Sequence, residues 1–303
     1  MTRVLVTGAG GQVGAAVARL LAGRAEVIAH GRATLDLANP AQIEARVREA
    51  SPRVVVNAAA YTAVDRAESD AQTAQAVNAA APGVIARACR AAGALLVHFS
   101  TDYVFDGTKG MPYVEDDATN PLGVYGLTKL EGERAVAASG CPHLILRTAW
   151  VYGPAGKNFM LTMLRLAAQG APIRVVDDQR GAPTSSLQIA RSVVALLTAG
   201  ESHVSDEAIG RLENRSGLYH ATAAGETTWH GFATEIFAER ARQPGGAFKV
   251  PTVEPIPTRD YPTPAKRPAY SVLSSAKLEQ AFGVRLGDWR AGLAEAISVL
   301  GRG

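Results

Sequence analysis

The run Arg3-Val4-Leu5-Val6-Thr7-Gly8-Ala9-Gly10-Gly11-Gln12-Val13-Gly14 constrains the fold more than any other stretch of this chain. Its apolar, β-branched opening has the pattern of a strand buried on both faces, as in the interior of a parallel sheet. Glycines follow, and Ala15 to Leu21 then reads as a helix. Glycines at 8, 11 and 14 allow a tight turn, a close approach of backbone to a pyrophosphate and tight packing of helix on strand, with phosphates at the helix N-terminus. The spacing is Gly-x2-Gly-x2-Gly rather than Gly-x-Gly-x2-Gly. A glycine cluster alone is equally a plain turn, so the weight rests on its place between strand and helix. With 303 residues, 47% of them hydrophobic, the chain can bury a large core as one elaborated domain or two.

The alternation continues. Glu26 to Ala29, Arg53 to Asn57, Ala94 to Ser100 and His143 to Thr148 read as strands, and Ala41 to Ala50, Ala71 to Ala92 and Val124 to Ser139 as helices. This pattern predicts an α/β fold, a Rossmann-like doubly wound parallel sheet with a smaller, irregular C-terminal substrate-binding domain. The expected dinucleotide-binding part covers 1–152, rejoined by about 183–222 and the C-terminal helix, with 153–182 and 223–270 as the substrate-binding part. In the second half, Gly153 to Gly156 reads as a turn, Phe159 to Gln169 as a helix, Ile173 to Val176 as a strand and Ser186 to Thr198 as a helix. The proline-rich stretch Pro251 to Pro268 reads as an irregular loop or link. Ligands of such sheets bind beyond the strand carboxyl ends, where Asn57-Ala58-Ala59-Ala60-Tyr61, Ser100-Thr101 and Arg147-Thr148-Ala149-Trp150 all fall.

Chemistry is suggested by Tyr125 and Lys129, four residues apart on an expected helix and therefore on one face of it. A free phenol titrates near ~10, and a neighbouring cation favours the phenolate, which brings the group toward the working range of a general acid or base. By itself the pair is also an ordinary helix surface. Cofactor choice turns on the end of the second strand. An acid there would bind a ribose 2′-hydroxyl, whereas His30-Gly31-Arg32 offers none and Arg32 suits a 2′-phosphate.

Other classes are disfavoured by composition. A net charge of +3 and a pI near 8.9 are compatible with anionic ligands, but no Lys/Arg run or interleaved aromatic stripe points to nucleic acid. Cys89 and Cys141 lack a Cys-x2-Cys spacing and read as small core residues, and the six histidines lack ligand spacing, so no metal site is expected. No secretory-type segment or membrane-length apolar run is read, so a cytoplasmic protein without membrane association is expected.

Thr7-Gly8-x2-Gly11-x2-Gly14, Asn57-Ala58-Ala59, Ser100-Thr101-Asp102-Tyr103-Val104-Phe105-Asp106-Gly107 and Tyr125-x3-Lys129 together resemble an extended short-chain dehydrogenase/reductase. Finer marks are Asn57 to Glu68, Arg147-Thr148-Ala149-Trp150-Val151-Tyr152-Gly153, Asp178 to Thr184 and Tyr261 to Pro268, which resemble the dTDP-4-dehydrorhamnose reductase family over nearly the whole chain. The resemblance implies hydride transfer from NADPH, with NADH also accepted, to the C4 ketone of dTDP-4-dehydro-L-rhamnose. Thr101 would then hydrogen-bond the C4 oxygen, Tyr125 would protonate it, and Lys129 would bind the nicotinamide ribose and lower the phenol pKa. Implied cofactor contacts are Gly8, Gly11, Gln12, Val13, Gly14, Arg32, Asp36, Leu37, Ala58, Ala59 and Ala60, besides Tyr125 and Lys129, with Asp36-Leu37 near the adenine. Implied contacts to the dTDP-linked deoxyhexulose are Thr101, Val104, Trp150, Asn158, Arg180 and Arg267.

Plainer readings stand beside these. Thr101 is alternatively a strand-end hydroxyl satisfying a turn, Trp150 a packing residue, and Asn57 a side chain bonding neighbouring backbone. Asp65, Arg66 and Glu68 read as a solvated helix start. Competing functions are a nucleotide-sugar epimerase or dehydratase and a non-catalytic NADP-binding regulatory subunit. A dehydratase would place a second acid after Asp102, where Tyr103 stands, and a binding subunit has no reason to keep hydroxyl, phenol and ammonium together. Some family members pair through a divalent ion held by acids. Ser185-Ser186-Leu187-Gln188 carries none, which favours a monomer.

Overall fold

A computed structural model describes residues 1–170, 172–243 and 248–300. The amino-terminal run forms strand β1 (Arg3–Thr7), the glycine turn and helix α1 (Gln12–Leu21). There follow β2 (Glu26–His30), α2 (Pro40–Ala50), β3 (Val54–Asn57), α3 (Val64–Ala67), α4 (Ala71–Ala74), α5 (Ala81–Ala92), β4 (Leu95–Thr101), α6 (Val124–Ala137) and β5 (His143–Thr148). The second half contains β6 (Val151–Tyr152), α7 (Phe159–Ala168), β7 (Ile173–Val176), β8 (Arg180–Gly181), β9 (Thr184–Ser185), α8 (Ser186–Thr198), α9 (Asp206–Glu213), β10 (Gly217–His220), β11 (Thr227–Thr228), α10 (Trp229–Arg242), β12 (Val253–Ile256), α11 (Ala276–Phe282) and α12 (Trp289–Leu300).

Six strands form a parallel sheet in the order β10-β5-β4-β3-β1-β2. Both faces are covered, which is why the strands read as continuous apolar runs. Val4, Val6, Val54, Val56, Leu95, Val97, Leu144 and Leu146 point to a core shared with α1, α8 and α9. Leu5, Val55, Leu96 and Ile145, one position out of phase, point to the core under α2 and α5. The chain moves from β1 outward to β2 and then returns to β3 on the other side of β1. The crevice between the ends of β1 and β3 is therefore the topological switch point.

The expected helix over 71–92 is continuous but not uniform. Between α4 and α5, Gln75–Ala80 forms a π segment. Pro82 has no N–H and crowds the carbonyl four residues earlier, that of Asn78. This carbonyl lies against α6, where a Cβ on Gly132 would come to 2.1 Å from it.

Tyr152, Met160, Met163, Ile173, Phe232, Ile236 and Phe237 form a separate core for the second half. The C-terminal helix α12, expected to rejoin the dinucleotide-binding part, places Trp289, Leu293, Ala296 and Ile297 in this second core. The proline-rich stretch is not wholly irregular, because β12 pairs in parallel with β7. Pro255 is tolerated because this ladder has only two strands, and an edge strand needs no N–H on its outer side. No helix among the described residues is long and apolar enough to cross a membrane.

Candidate active site

At the end of β1 the chain turns at Gly8 with φ +69, a backbone conformation that costs a side-chain-bearing residue about 1 kcal/mol or more. Space closes the position further. A Cβ on Gly8 would lie 2.6 Å from the Ala59 nitrogen, and one on Gly14 would lie 2.3 Å from the Gly8 carbonyl oxygen. Ala58 and Ala59 thus form the opposite wall of the turn, and small residues at all four positions keep the switch point open to a dinucleotide phosphate. Beneath it, Thr7 donates to the Asn57 side chain at 2.6 Å and the Asn57 amide meets His98 Nδ1 at 3.0 Å. Asn57 therefore ties side chains of three adjacent strands together rather than neighbouring backbone. Burial holds His98 well below its ordinary pKa, hence neutral.

Arg32 lies exposed in the turn after β2, where the Thr34 and Leu35 amides both bond the Gly31 carbonyl. Asp36 is exposed and accepts the Ala38 amide, whereas the Leu37 side chain is buried in the core beneath α2. The Leu37 side chain therefore anchors this loop.

Thr101 closes β4. Its hydroxyl accepts the Tyr103 amide at 3.2 Å and donates to Asp102 Oδ1 at 3.1 Å. Burial pushes the Asp102 carboxyl up to about 6, while the Ser271 and Thr101 hydroxyls pull the other way. Across from this turn, α6 carries Tyr125 and Lys129. Gly126 permits its close approach, since a Cβ there would fall 2.2 Å from the Tyr103 carbonyl oxygen. Tyr103 and Tyr125 meet edge to face with centroids 5.5 Å apart.

Lys129 is buried and its Nζ donates to the Phe99 carbonyl at 2.5 Å. Desolvation lowers its pKa to about 8, with Glu133 opposing. Glu133 itself is held in a bidentate, buried pair with Arg147 at 2.8 and 2.7 Å. Tyr125 is pushed up to about 12 by burial, with Thr101 favouring the phenolate and Asp102 disfavouring it. Burial thus outweighs the lowering of the phenol expected from Lys129 in this structure. The ammonium is engaged by a backbone carbonyl of β4, and desolvation dominates. At neutral pH the phenol is protonated, the form that can give a proton.

The expected substrate contacts are distributed unevenly. Val104 is fully buried with Phe105, Tyr113, Leu130 and Leu273, so its side chain is core. Trp150 has φ +47, an outlier for a bulky residue, and its indole stacks on Trp229 at 3.6 Å and 4°. A Cβ on Gly181 would come within 2.3 Å of the same indole, so Trp150 is held between Trp229 and Gly181. Asn158 caps α7 by accepting the Leu161 amide and donates to Gln12 at 3.0 Å, joining α7 to the glycine turn. Arg180 pairs with Glu226 at the surface. Arg267 makes a bidentate pair with Asp65 at 3.1 and 3.0 Å.

Several contributors escaped the sequence reading. Asp65 and Glu68 are not merely a solvated helix start, because Asp65 binds Arg267 and Glu68 accepts the Val124 amide at the start of α6. Asn78 clamps both backbone groups of Tyr61 at 2.8 and 3.0 Å. Trp229 had no local signal. Gly126 and Gly132, two glycines inside a helix, were the available mark of close backbone approach.

A phenol and an ammonium on one helix, set against a strand end beside a dinucleotide turn, are the working parts of the extended short-chain dehydrogenases and reductases, and this chain has that architecture. Residues 1–301 match the family described as RmlD substrate binding domain. The chain is 50% identical to the dTDP-4-dehydrorhamnose reductase of Burkholderia thailandensis over 290 residues, 95% of each chain. A crystal structure of a dTDP-4-dehydrorhamnose reductase from Clostridium acetobutylicum superposes with a TM-score of 0.88 at 39% identity, covering 99% of this chain and 100% of that one. The Bacillus anthracis dTDP-4-dehydrorhamnose reductase, crystallised in complex with NADP, gives 0.87 at 32% identity with the same coverage. The chain belongs to the dTDP-4-dehydrorhamnose reductase family.

Proposed function

We propose that this protein reduces the C4 ketone of dTDP-4-dehydro-β-L-rhamnose to dTDP-L-rhamnose with NADPH, and accepts NADH less well. The observation that carries the reading is a protonated Tyr125 phenol beside the Thr101 hydroxyl, next to a glycine turn shaped for a dinucleotide. The full-length relatives named as reductases of this sugar, and the NADP complex of one of them, support the substrate and the cofactor.

NADPH, when bound, supplies the hydride. Negative charge then develops on the ketone oxygen, and the donors for it are the Tyr125 hydroxyl and the Thr101 hydroxyl, which turns from Asp102 Oδ1 to reach it. Tyr125 gives its proton to that oxygen, and a pKa held high by burial keeps the proton available until charge arrives. Lys129, charged below about pH 8, holds the nicotinamide ribose and offsets charge on the phenolate. Gly8, Gly11, Gln12, Val13 and Gly14 hold the pyrophosphate, and Arg32 holds the 2′-phosphate. Trp150, braced by Trp229, shapes the sugar end through its ring edge, while Asn158, Arg180 and Arg267 order the segments around it. The protein works as a cytoplasmic monomer.

Turnover measured across dTDP-, UDP- and GDP-linked 4-ketosugars with NADPH tests the reading. Tyr125→Phe should lower kcat by at least ~10²-fold, the weight of general acid catalysis, with NADPH binding intact. Wild-type turnover in that variant would remove Tyr125 as proton donor.

A further inference from the structure

Helix α6 begins without a cap of its own. Its N-cap residue is Gly123, which has no side chain to offer, and no acid stands in its first turn. The first amides of a helix lack intrahelical partners. Here the Val124 amide is met by Glu68 Oε1 at 2.9 Å, from a residue 56 positions earlier in the chain. The fit is close: a Cβ on Gly123 would lie 2.5 Å from the same oxygen, so glycine at this position is what admits the carboxylate.

The residues just before Glu68 are held in place. Ala67 before it is fully buried. One turn back, Asp65 receives the Arg267 guanidinium on both oxygens and the Ala265 amide at 3.3 Å. The segment that carries Glu68 therefore runs from the Ala58-Ala59 wall of the glycine turn to the start of the helix bearing Tyr125, and is braced by the strap around Arg267.

We propose that Glu68 is a positioning residue for the reduction: by capping α6 at Val124 it sets the place of the adjacent Tyr125 phenol relative to Thr101. It acts through the Val124 amide. Its effect arises because Val124 directly precedes Tyr125, so a frayed first turn moves the phenol, and a misplacement of about 1 Å costs on the order of 10²-fold in rate. Lys129, one turn further along and anchored on the Phe99 carbonyl, is less affected. The carboxylate is exposed, so its removal perturbs the fold little.

The inference rests on Tyr125 being the proton donor, and a double-mutant cycle separates the two claims. With the full-length protein, NADPH and a dTDP-linked 4-ketosugar, Glu68→Ala should lower kcat about tenfold while leaving KM within about twofold, the signature of a lost transition-state interaction. Glu68→Gln keeps an oxygen that accepts the amide and should restore kcat to within about threefold of wild type. Combined with Tyr125→Phe, Glu68→Ala should add almost no further loss, because residues acting through one another are non-additive. A fully additive loss in the double variant overturns the proposal, as does a Gln variant as slow as the Ala variant, a rise in KM at constant kcat, or a lowered melting temperature with kcat unchanged. If Tyr125→Phe alone turns over like wild type, the proton-donor reading fails instead.

Discussion

Asp102 offers a sharp test of how this site holds charge. Its carboxyl is buried directly behind Thr101, and burial raises its pKa from 3.8 to about 6. Between those values the folded protein retains a proton that the unfolded chain has released. Stability therefore falls as pH rises through this window. Above about pH 6 the protein carries an ionised carboxylate at a buried site, at a cost of about 3 kcal/mol from about 1.4 kcal/mol per pH unit. Asn at this position has the same shape, keeps an oxygen to accept the Thr101 hydroxyl, and does not titrate. Asp102→Asn should accordingly stabilise the protein, and the gap between variant and wild type should widen by most of about 3 kcal/mol from about pH 4 to about pH 7.5. Urea unfolding followed by circular dichroism at the two pH values measures it. A gap that stays constant, or narrows toward neutral pH, would refute the reasoning and mean that the carboxylate is well solvated or paired.

Two further outcomes concern the cofactor. Because burial depresses Lys129 to about 8, its ammonium is present below that pH and lost above it. NADPH affinity of the wild type, titrated by fluorescence, should weaken as pH rises through about 8, whereas Lys129→Met should bind weakly with a flat profile, and parallel profiles would remove Lys129 from ribose binding. Arg32→Ala should raise KM for NADPH by roughly 3- to 10-fold through loss of a charge-assisted pair and leave that for NADH nearly unchanged, and equal effects on both cofactors would make Arg32 an ordinary loop residue.

The dinucleotide half of this protein was written locally. A β-branched run ending in glycines, then a helix, has few other folded outcomes, and the alternation of strand and helix that follows leads to a parallel sheet with its ligands at the strand ends. Tyr125 and Lys129 were legible for the same reason: helix period alone places i and i+4 together. What came next depended on distance in three dimensions rather than in sequence. The phenol pKa is expected to fall because a cation is four residues away, but it rises because burial removes water from it, and that burial is not visible without the fold. Trp150 is wedged between Trp229 and Gly181, partners 79 and 31 residues away in sequence. Asp65 and Glu68 look like solvated helix charges until Arg267 and Val124 arrive from elsewhere in the chain. Local sequence thus specified the elements and the reacting groups, because period and turn chemistry are short-range. Burial, ion pairing and capping across the chain were decided by packing, because each depends on which distant segment fills the space beside a residue.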